Sequence, residues 1–252
     1  GITDATGSVD FTKVMQRVRG VIETIEPHDS PERYTGLGVD CVSGEARIKS
    51  PYEVEVDGKT ITTEAIVIAS GARPFVPPVP GLEALDYLTS DSVWSLTELP
   101  KRLLVIGGGP IGCELTQAFA NLGSSVTQVD MAPRIMPRED PEVSAAVSAR
   151  FTEQGIRLLT NHKLVKFETI DGEHIMEAEH DGQVVRVAFD KVLLAIGRRA
   201  NVEGFGLEEL GVALTPQGTV EVNAQLQTNF PNIFACGDVA GPYQFTHMAS
   251  YQ

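Results

Sequence analysis

The chain has 252 residues and a net charge of −14, from 34 acidic and 20 basic side chains. This acidic balance argues against nucleic acid or an anionic membrane as a partner. A hydrophobic content of 42% is enough for a substantial core, and no apolar run reaches the length needed to span a bilayer. We therefore expect one large or two smaller globular domains.

Three cysteines are spread widely along the chain, at Cys41, Cys113 and Cys236. They form no C-x-x-C or C-x-x-x-x-C pair and have no metal-ligand spacing with the five histidines. Isolated cysteines of this kind usually act as small buried hydrophobic residues in a reducing compartment. The alternative is a reactive thiol. We predict a cytoplasmic protein, without a metal site and without a redox dithiol in this sequence.

The region before residue 100 combines helical and strand patterns. Apolar residues at helical spacing predict an amphipathic helix over residues 8–26. Extended segments follow, and Asp-Gly pairs between alternating runs are typical of hairpin turns, so a small antiparallel meander is expected. The predicted strands are 34–42, 46–50, 52–56 and 59–63. A buried strand is predicted within 64–74, and the proline-rich stretch after it is interpreted as a stiff domain linker.

Residues 103–130 carry the pattern that says most about function. A short apolar run, typical of a buried parallel strand, leads into Gly107, Gly109 and Gly112, which form a G-x-G-x-x-G motif. The first glycine allows a tight turn, the second lets the backbone approach a pyrophosphate, and the third lets a helix pack against the sheet.

The helix predicted after the motif has its apolar residues between Ile111 and Leu122 and is stopped by Gly123. Its N-terminus would face the phosphates, an interaction of about 0.3 to 1 kcal/mol. A second strand then ends at Asp130. This order of strand, turn, helix, strand and acid predicts dinucleotide binding, the alternative being a glycine-rich turn in an ordinary βαβ unit.

Asp130 also bears on which dinucleotide is bound. Its carboxylate can accept hydrogen bonds from the ribose hydroxyls of NADH, each worth about 1.5 to 3 kcal/mol, and would repel the 2′-phosphate of NADPH. Arg134 is close enough to favour NADPH, but we interpret it as a solvated loop charge. We therefore predict NADH in preference to NADPH.

The remaining sequence continues the alternation of helices and strands. Asp140 is a candidate N-cap for a helix that runs to Phe151, with Pro141 in its first turn. Further strands are predicted at 156–159, 163–170, 175–180, 183–189, 191–198 and within 228–238, and a last helix begins near 245. Asp-Gly pairs at 171–172 and 181–182 predict hairpin turns.

Taken together, these motifs resemble the FAD-dependent pyridine nucleotide-disulfide oxidoreductases, which include dihydrolipoamide dehydrogenase, mercuric reductase and glutathione reductase. The resemblance lies in the glycine motif with Glu114, in the strands that end at Gly71 and Arg198, and in the Thr-x-x-Pro-x-Ile-Phe-Ala-x-Gly-Asp run at 228–238. It implies an α/β fold with two Rossmann-like dinucleotide-binding domains, built from parallel sheet and an antiparallel meander. The implied segments are 1–95 and 202–252 for FAD and an inserted 96–201 for NAD.

The resemblance also implies individual roles. Asp238 would hydrogen-bond the ribitol of FAD, the helix near His247 would point at the flavin carbonyl, the backbone around Ala46 would face the adenine, and Glu114 would lie near the nicotinamide carboxamide. The alternatives are a helix cap for Asp238, a surface histidine for His247 and a solvated charge for Glu114. The full set is Gly107, Gly109, Pro110, Ile111, Gly112, Glu114, Asp130 and Gly197 for NAD, and Ala46, Ser70, Gly71, Gly237, Asp238 and His247 for FAD.

Three family features do not occur in this sequence: the glycine motif for FAD, the C-x-x-x-x-C redox disulfide, and the domain that supplies dimerisation and a His and Glu pair. The resemblance therefore implies an internal fragment without catalytic residues of its own. The whole protein is expected to be a homodimer that passes hydride from NADH to flavin and on to a small-molecule or protein disulfide, in cell redox homeostasis. The alternatives are an isolated NADH-binding module without turnover, and a nicotinamide dehydrogenase with its own substrate domain.

Overall fold

A computed structural model of the protein describes residues 7–252. These residues divide into two compact units. The first comprises the described residues up to Ile25 together with Pro74–Gly197, and the second comprises Glu26–Arg73 and Arg198–Gln252. The division into two units does not show which cofactor each unit binds, so the assignment of segments to FAD and NAD stays a prediction. The first six residues of the predicted FAD segment lie outside the described part of the chain.

The helices and strands follow the predicted alternation. The α-helices of the described residues are α1 (Phe11–Ile25), α2 (Pro31–Gly36), α3 (Pro110–Leu122), α4 (Pro141–Glu153), α5 (Leu207–Leu210) and α6 (Thr246–Tyr251). The strands are β1 (Ala46–Ser50), β2 (Glu53–Val56), β3 (Lys59–Thr62), β4 (Ile66–Ile68), β5 (Ala72–Pro74), β6 (Arg102–Ile106), β7 (Ser125–Val129), β8 (Arg157–Leu159), β9 (Lys163–Ile170), β10 (Glu173–His180), β11 (Gln183–Phe189), β12 (Lys191–Leu194), β13 (Arg198–Ala200) and β14 (Ile233–Ala235). Within residues 7–252, no helix is both long and apolar enough to cross a bilayer.

A four-stranded parallel sheet in the order β12-β6-β7-β8 lies at the centre of the first unit. Its middle strand β6 is buried on both faces, because Leu104 on one face and Val105 on the other are both 0% exposed. The Leu104 face packs against the antiparallel sheet β11-β10-β9. The Val105 face packs against α1 and α3 through Phe11 and Phe119. These layers confirm the predicted α/β fold class.

The antiparallel sheet confirms the predicted hairpins. The turns between its strands are Asp171-Gly172 and Asp181-Gly182. All four residues have positive φ, from 50° for the aspartates to 84° for Gly172. Two consecutive residues with positive φ are characteristic of the type I′ turn, whose twist matches that of the flanking strands.

The proline-rich stretch predicted as a linker begins at the unit boundary, between Arg73 and Pro74, and belongs to the first unit. The Phe167 amide donates to the carbonyl oxygen of Pro80 at 2.8 Å, and the Leu88 amide donates to that of Val192 at 2.8 Å. Leu82 is 2% exposed in the core beside Phe167. The stretch therefore starts where the chain passes from one unit to the other, and from Pro80 onwards backbone hydrogen bonds and apolar burial fix the chain against the sheets of the first unit.

The second unit contains the antiparallel meander β1-β2-β3 and the parallel pair β14-β4. The predicted meander over 46–63 is confirmed. Its core joins Ile48 of the meander to Ile66 and Ile233 of the parallel pair. The parallel pairing of β4 and β14 places the residues after Ile68 and after Ala235 at one edge, since parallel strands end on the same side.

The prediction of a strand at 34–42 is wrong. Helix α2 occupies Pro31–Gly36, and residues 39–45 lie outside helices and strands. The Ser30 hydroxyl accepts a hydrogen bond from the Arg33 amide at 3.2 Å, which caps the helix. Proline at the first helical position also favours a helix start. These local signals outweigh the strand propensity of the residues that follow.

Candidate dinucleotide-binding site

The glycine motif forms the tight turn between β6 and α3. Gly107 has a φ of +115°, and a Cβ added to it would lie 2.3 Å from the carbonyl oxygen of Ala195. A Cβ added to Gly112 would lie 2.2 Å from the carbonyl oxygen of Gly107. Any larger side chain at either position would therefore collide with backbone, so the first glycine permits the turn and the third permits α3 to pack against it.

Gly109 differs from the other two glycines because neither its backbone angle nor any contact with residues 7–252 requires a glycine there. Its φ is −76° and it is the N-cap of α3; a Cβ added there would find no described atom within 4 Å. The next residues, Pro110 and Ile111, are exposed, and the first amides of a helix have no intrahelical acceptor. A pyrophosphate can approach the backbone closely here, because no side chain fills the space and the free amides of the helix N-terminus face it.

Asp130 lies at the end of β7 with its carboxylate against the same turn. One carboxylate oxygen accepts from the Gly108 amide, and the other accepts from the Ala132 amide at 2.6 Å. A Cβ added to Gly108 would lie 3.0 Å from the carboxylate. A carboxylate offers about four acceptor positions, so acceptor capacity remains for ribose hydroxyls. Asp130 is half-buried, which leaves it accessible to such a ligand.

A buried glutamine on β7 is hydrogen-bonded to the glycine turn. Gln128 on β7 is 1% exposed, and its Nε2 donates to the carbonyl oxygen of Gly107 at 2.8 Å. Sequence reasoning missed this residue. The available signal was a polar side chain between Val126 and Val129 in a strand that otherwise reads as buried.

The loop after Asp130 closes over the turn, which the sequence did not predict. The Met136 amide donates to the carbonyl oxygen of Gly108 at 2.6 Å, and Met136 has a φ of 51°. On the other side, the His162 amide donates to the carbonyl oxygen of Asp130 at 3.0 Å. The acid therefore belongs to a backbone network that includes both neighbouring loops.

Arg134 in this loop is not the solvated charge that we predicted. It is half-buried, and one of its guanidinium nitrogens donates to the carbonyl oxygen of Pro137 at 3.0 Å. Its Nη1 is buried and has no hydrogen-bond partner among residues 7–252. The loop turns back on itself here and holds the guanidinium against its own backbone.

The cysteines differ in burial. Cys113 on α3 is 5% exposed, and its Sγ donates to the carbonyl oxygen of Gly108 at 3.5 Å. Burial raises the pKa of the Cys113 thiol, so it is an inert core residue as predicted. The same prediction is wrong for Cys41, which is exposed, while Cys236 is half-buried.

The other predicted NAD residues also lie near this edge. Gly197 follows β12, the parallel neighbour of β6, so it is at the same sheet edge as Gly107. It is exposed, has a φ of 123°, and its carbonyl accepts from the Phe75 amide at 2.9 Å. Glu114 is exposed on the second turn of α3. Their contact with NAD stays a prediction.

The predicted FAD residues belong to the second unit, where two pairs meet at one edge. Ser70 and Gly71 follow β4, while Gly237 and Asp238 follow β14. The Ser70 hydroxyl donates to the carbonyl oxygen of Asn201 at 2.7 Å. The Gly237 amide donates to the side chain of Gln252 at 2.7 Å. Two of the predicted flavin contacts are thus already used within the chain, so these residues fit FAD only in part.

Asp238 forms an ion pair rather than a helix cap. Its carboxylate lies 3.4 Å from the Nε of Arg198, and Cys236 is the N-cap of the short 3₁₀ turn at Gly237–Val239. Ala46 lies in the meander, apart from these residues. His247 is exposed and its ring stacks on that of Phe245, with ring centres 5.4 Å apart. Within residues 7–252, no three acidic, histidine or cysteine side chains form a possible metal site.

Comparison with known families agrees with this geometry. A model of the pyridine nucleotide-disulphide oxidoreductases matches residues 6–252. The chain belongs to this family.

Two curated relatives match all or most of this chain. A mercuric reductase of Staphylococcus aureus is 36% identical over 252 residues, which are 100% of this chain and 46% of the relative. A dihydrolipoyl dehydrogenase of Thermus scotoductus is 38% identical over 223 residues, or 85% of this chain and 47% of the relative. The chain thus spans about half the length of these curated relatives.

A solved structure confirms the fold of this family member. The HOCl-induced flavoprotein disulfide reductase RclA from Escherichia coli superposes with a TM-score of 0.85 at 30% identity, covering 96% of this chain and 55% of that protein. The predicted family and α/β fold class are therefore both confirmed.

Proposed function

We propose that the protein is an NADH-dependent, FAD-containing oxidoreductase that reduces a disulfide or a related acceptor. The observation that carries this proposal is the arrangement at the end of the central sheet. Gly109 leaves open space beside the first amides of α3, and Asp130 presents a carboxylate to the same turn. Pyrophosphate and ribose are the two groups that this pair of features suits.

The chemistry supplied by bound cofactors would be transfer of a hydride from NADH to FAD and of its two electrons on to a disulfide, which becomes two thiols by taking one proton that derives from the hydride and one from solvent. The residues of this chain would bind and orient. The backbone at Gly109–Gly112 would hold the pyrophosphate, Asp130 the ribose hydroxyls, and Glu114 the nicotinamide end. In the second unit, Asp238 would hold the ribitol of FAD.

The choice of NADH over NADPH rests on two side chains with opposite charge. The Asp130 carboxylate faces the turn and would repel a 2′-phosphate, while the Arg134 guanidinium could attract one. Arg134 is held by the carbonyl oxygen of Pro137. We infer that the carboxylate decides, because it is bonded directly to the motif that holds the pyrophosphate.

The electron acceptor and partners are proposed from the family. Its description names a pyridine nucleotide and a disulfide, and the solved relative is named a flavoprotein disulfide reductase. The curated relatives are named mercuric reductase and dihydrolipoyl dehydrogenase. We propose a small-molecule or protein disulfide as the acceptor, and a cytoplasmic homodimer as the working form.

A second candidate for this chain is an NADH-binding module without turnover. It is favoured by the use of the Ser70 hydroxyl and the Gly237 amide within the chain, which leaves fewer groups to hold flavin. It is also favoured by the cysteines, since none of the three forms a disulfide.

Calorimetric titration of the purified chain with NADH and NADPH tests both candidates, with a visible spectrum recorded first for bound flavin. Tighter binding of NADH supports the dinucleotide assignment. A flavin band with NADH oxidation by a model disulfide then supports the full activity, whereas NADH binding without either supports the module. Tighter binding of NADPH overturns the choice of cofactor. No binding of either to a chain with an intact circular dichroism spectrum overturns the dinucleotide site.

A further inference from the structure

A second concave site lies in the first unit, at the end of the parallel sheet opposite to the glycine turn. It is a cavity of about 260 Å³ at the start of β6, β7 and β8, closed on one side by β11. Its described lining contains three arginines, Arg102, Arg157 and Arg186, and no acidic residue. A cavity of this kind is unexpected in a chain with a net charge of −14.

Strand register brings the polar lining residues together. Arg102 on β6 is opposite Ser125 on β7, and Thr127 on β7 is opposite Arg157 on β8. Opposite residues in a sheet point to the same face, and so do residues two apart on one strand. The four side chains therefore share one face of the parallel sheet, the face that Leu104 presents to Val187 and the antiparallel sheet.

Two of the arginines are fixed by carboxylates that are not part of the lining. Nη2 of Arg102 lies 2.7 Å from Asp190, and its Nη1 lies 2.6 Å from Glu173. Nε of Arg186 donates to Glu177 at 2.7 Å. These pairs hold the two guanidinium groups in place and balance their charges.

Arg157 is different because no carboxylate of the described residues forms an ion pair with it. Arg157 and Ser125 are exposed and Thr127 is half-buried, and within residues 7–252 neither the Arg157 guanidinium nor the hydroxyls of Ser125 and Thr127 have a hydrogen-bond or ion-pair partner. One uncompensated guanidinium and two hydroxyl donors thus meet at one cavity. Guanidinium groups bind tetrahedral oxyanions through paired hydrogen bonds, and hydroxyls supply further donors.

We propose that this cavity is an anion-binding site whose ligand is inorganic phosphate. It is separate from the dinucleotide site, because the cavity is at the amino ends of the strands and the glycine turn is at their carboxyl ends. With a rise of about 3.3 Å per residue, a strand of this length separates the two by roughly 16 Å. Arg157 is the residue that makes the site attractive to an anion.

Calorimetric titration of the full 252-residue chain with sodium phosphate tests the proposal, with sodium chloride of equal ionic strength in the reference. The natural chain should bind one phosphate, and Arg157→Gln should weaken binding about tenfold or more. Arg150→Gln is the matched control, because Arg150 is an exposed arginine of α4 that pairs with Glu153 and is not among the residues that line the cavity. It removes the same charge and should leave phosphate binding unchanged.

Thermal unfolding gives a second measurement on the same variants. Phosphate at about ten times its Kd should raise the midpoint of the natural chain by roughly 3 to 6 °C, and the same concentration should raise that of Arg157→Gln by no more than about 1 to 2 °C. Thr127→Val provides an independent variant and should weaken binding without changing net charge. The proposal is overturned if the natural chain gives no heat beyond the chloride reference, or if Arg157→Gln binds phosphate as the natural chain does.

Discussion

The carboxylate of Asp130 accepts a hydrogen bond from the backbone amide of Gly108, so the acid that ends β7 is bonded to the turn that ends β6. The two residues are 22 positions apart in sequence. Because the same carboxylate also accepts from the Ala132 amide, it fixes the turn and its own loop at once. The group proposed to select the cofactor is therefore also part of what holds the glycine motif in shape.

Replacing the acid by its neutral isostere tests the proposed selection. Asp130→Asn should lower NADH affinity about tenfold or more, because a charge-assisted hydrogen bond contributes about 1.5 to 3 kcal/mol. It should also reduce discrimination against NADPH, since the repulsion of the 2′-phosphate is removed. Calorimetric titration with both nucleotides measures the two effects.

The control for this substitution is Asp140→Asn. Asp140 is an exposed acid of the same loop whose side chain makes no cap hydrogen bond, so both affinities should stay as in the natural chain. If Asp130→Asn binds NADH as tightly as this control, the carboxylate has only a structural role.

The glycines of the motif should separate folding from binding. Gly112→Ala should destabilise the first unit by about 1 to 3 kcal/mol or more, because its Cβ would lie 2.2 Å from the carbonyl oxygen of Gly107. Gly109→Ala should fold normally, since its Cβ would meet no described atom within 4 Å and its φ is −76°. It should nevertheless weaken NADH binding about tenfold or more, because the methyl group fills the space proposed for the pyrophosphate.

Urea unfolding and NADH titration of both variants give the two measurements. The control is Gly20→Ala, which introduces a methyl group into open space on α1. Gly155→Ala would not serve, because Gly155 has a positive φ. Unimpaired NADH binding by Gly109→Ala would contradict the proposed position of the pyrophosphate.

Local patterns in the sequence predicted the elements that have local causes. The glycine spacing and apolar runs gave β6, α3 and β7, and the Asp-Gly pairs gave the hairpins of the antiparallel sheet. The prediction failed where a distant contact or a competing local signal decided the structure. The amide of Phe167 bonds to Pro80 and fixes the end of the expected linker against the core, and Ser30 starts a helix where a strand was expected.

The candidate site shows the same division. Gly107, Gly112 and Asp130 could be found from spacing alone, because each follows from the geometry of one βαβ unit. Gln128 and Met136 could not, because their bonds to the turn depend on which loop folds over which. Arg134 was misread for the same reason, since its partner is a carbonyl oxygen whose position the sequence does not reveal.

The burial of the cysteines predicts their reactivity. An exposed thiol should be alkylated rapidly in the native chain, whereas Cys113 should react only after unfolding, because burial excludes the reagent and raises its pKa. Mass spectrometry of peptides after brief iodoacetamide treatment, with and without urea, measures this. Cys41→Ser should remove the rapid native-state label. Native labelling of Cys113 as fast as Cys41 would show that α3 does not pack as described.

The buried carboxylate of Glu177 predicts how stability depends on pH. It lies 2.7 Å from Nε of Arg186 and 3.3 Å from Nζ of Lys166. The hydrogen bond from Arg186 lowers the pKa of Glu177 below its ordinary value of 4.5. Burial acts in the opposite direction, and Lys166 lowers the pKa further. A lowered folded pKa means that the unfolded chain binds the proton more readily, so this contribution to stability is complete above 4.5 and is lost as pH falls through the folded value.

Glu177→Gln should therefore lower the free energy of unfolding at neutral pH, and the difference from the natural chain should shrink as the pH falls well below 4.5. Urea unfolding at about pH 7 and about pH 3 measures both differences. Glu153→Gln is the control, because Glu153 pairs with Arg150 on the exposed surface of α4 and such pairs contribute little. A difference between Glu177→Gln and the natural chain that stays constant with pH would contradict the ionic role of Glu177, since a purely steric effect of the substitution does not titrate.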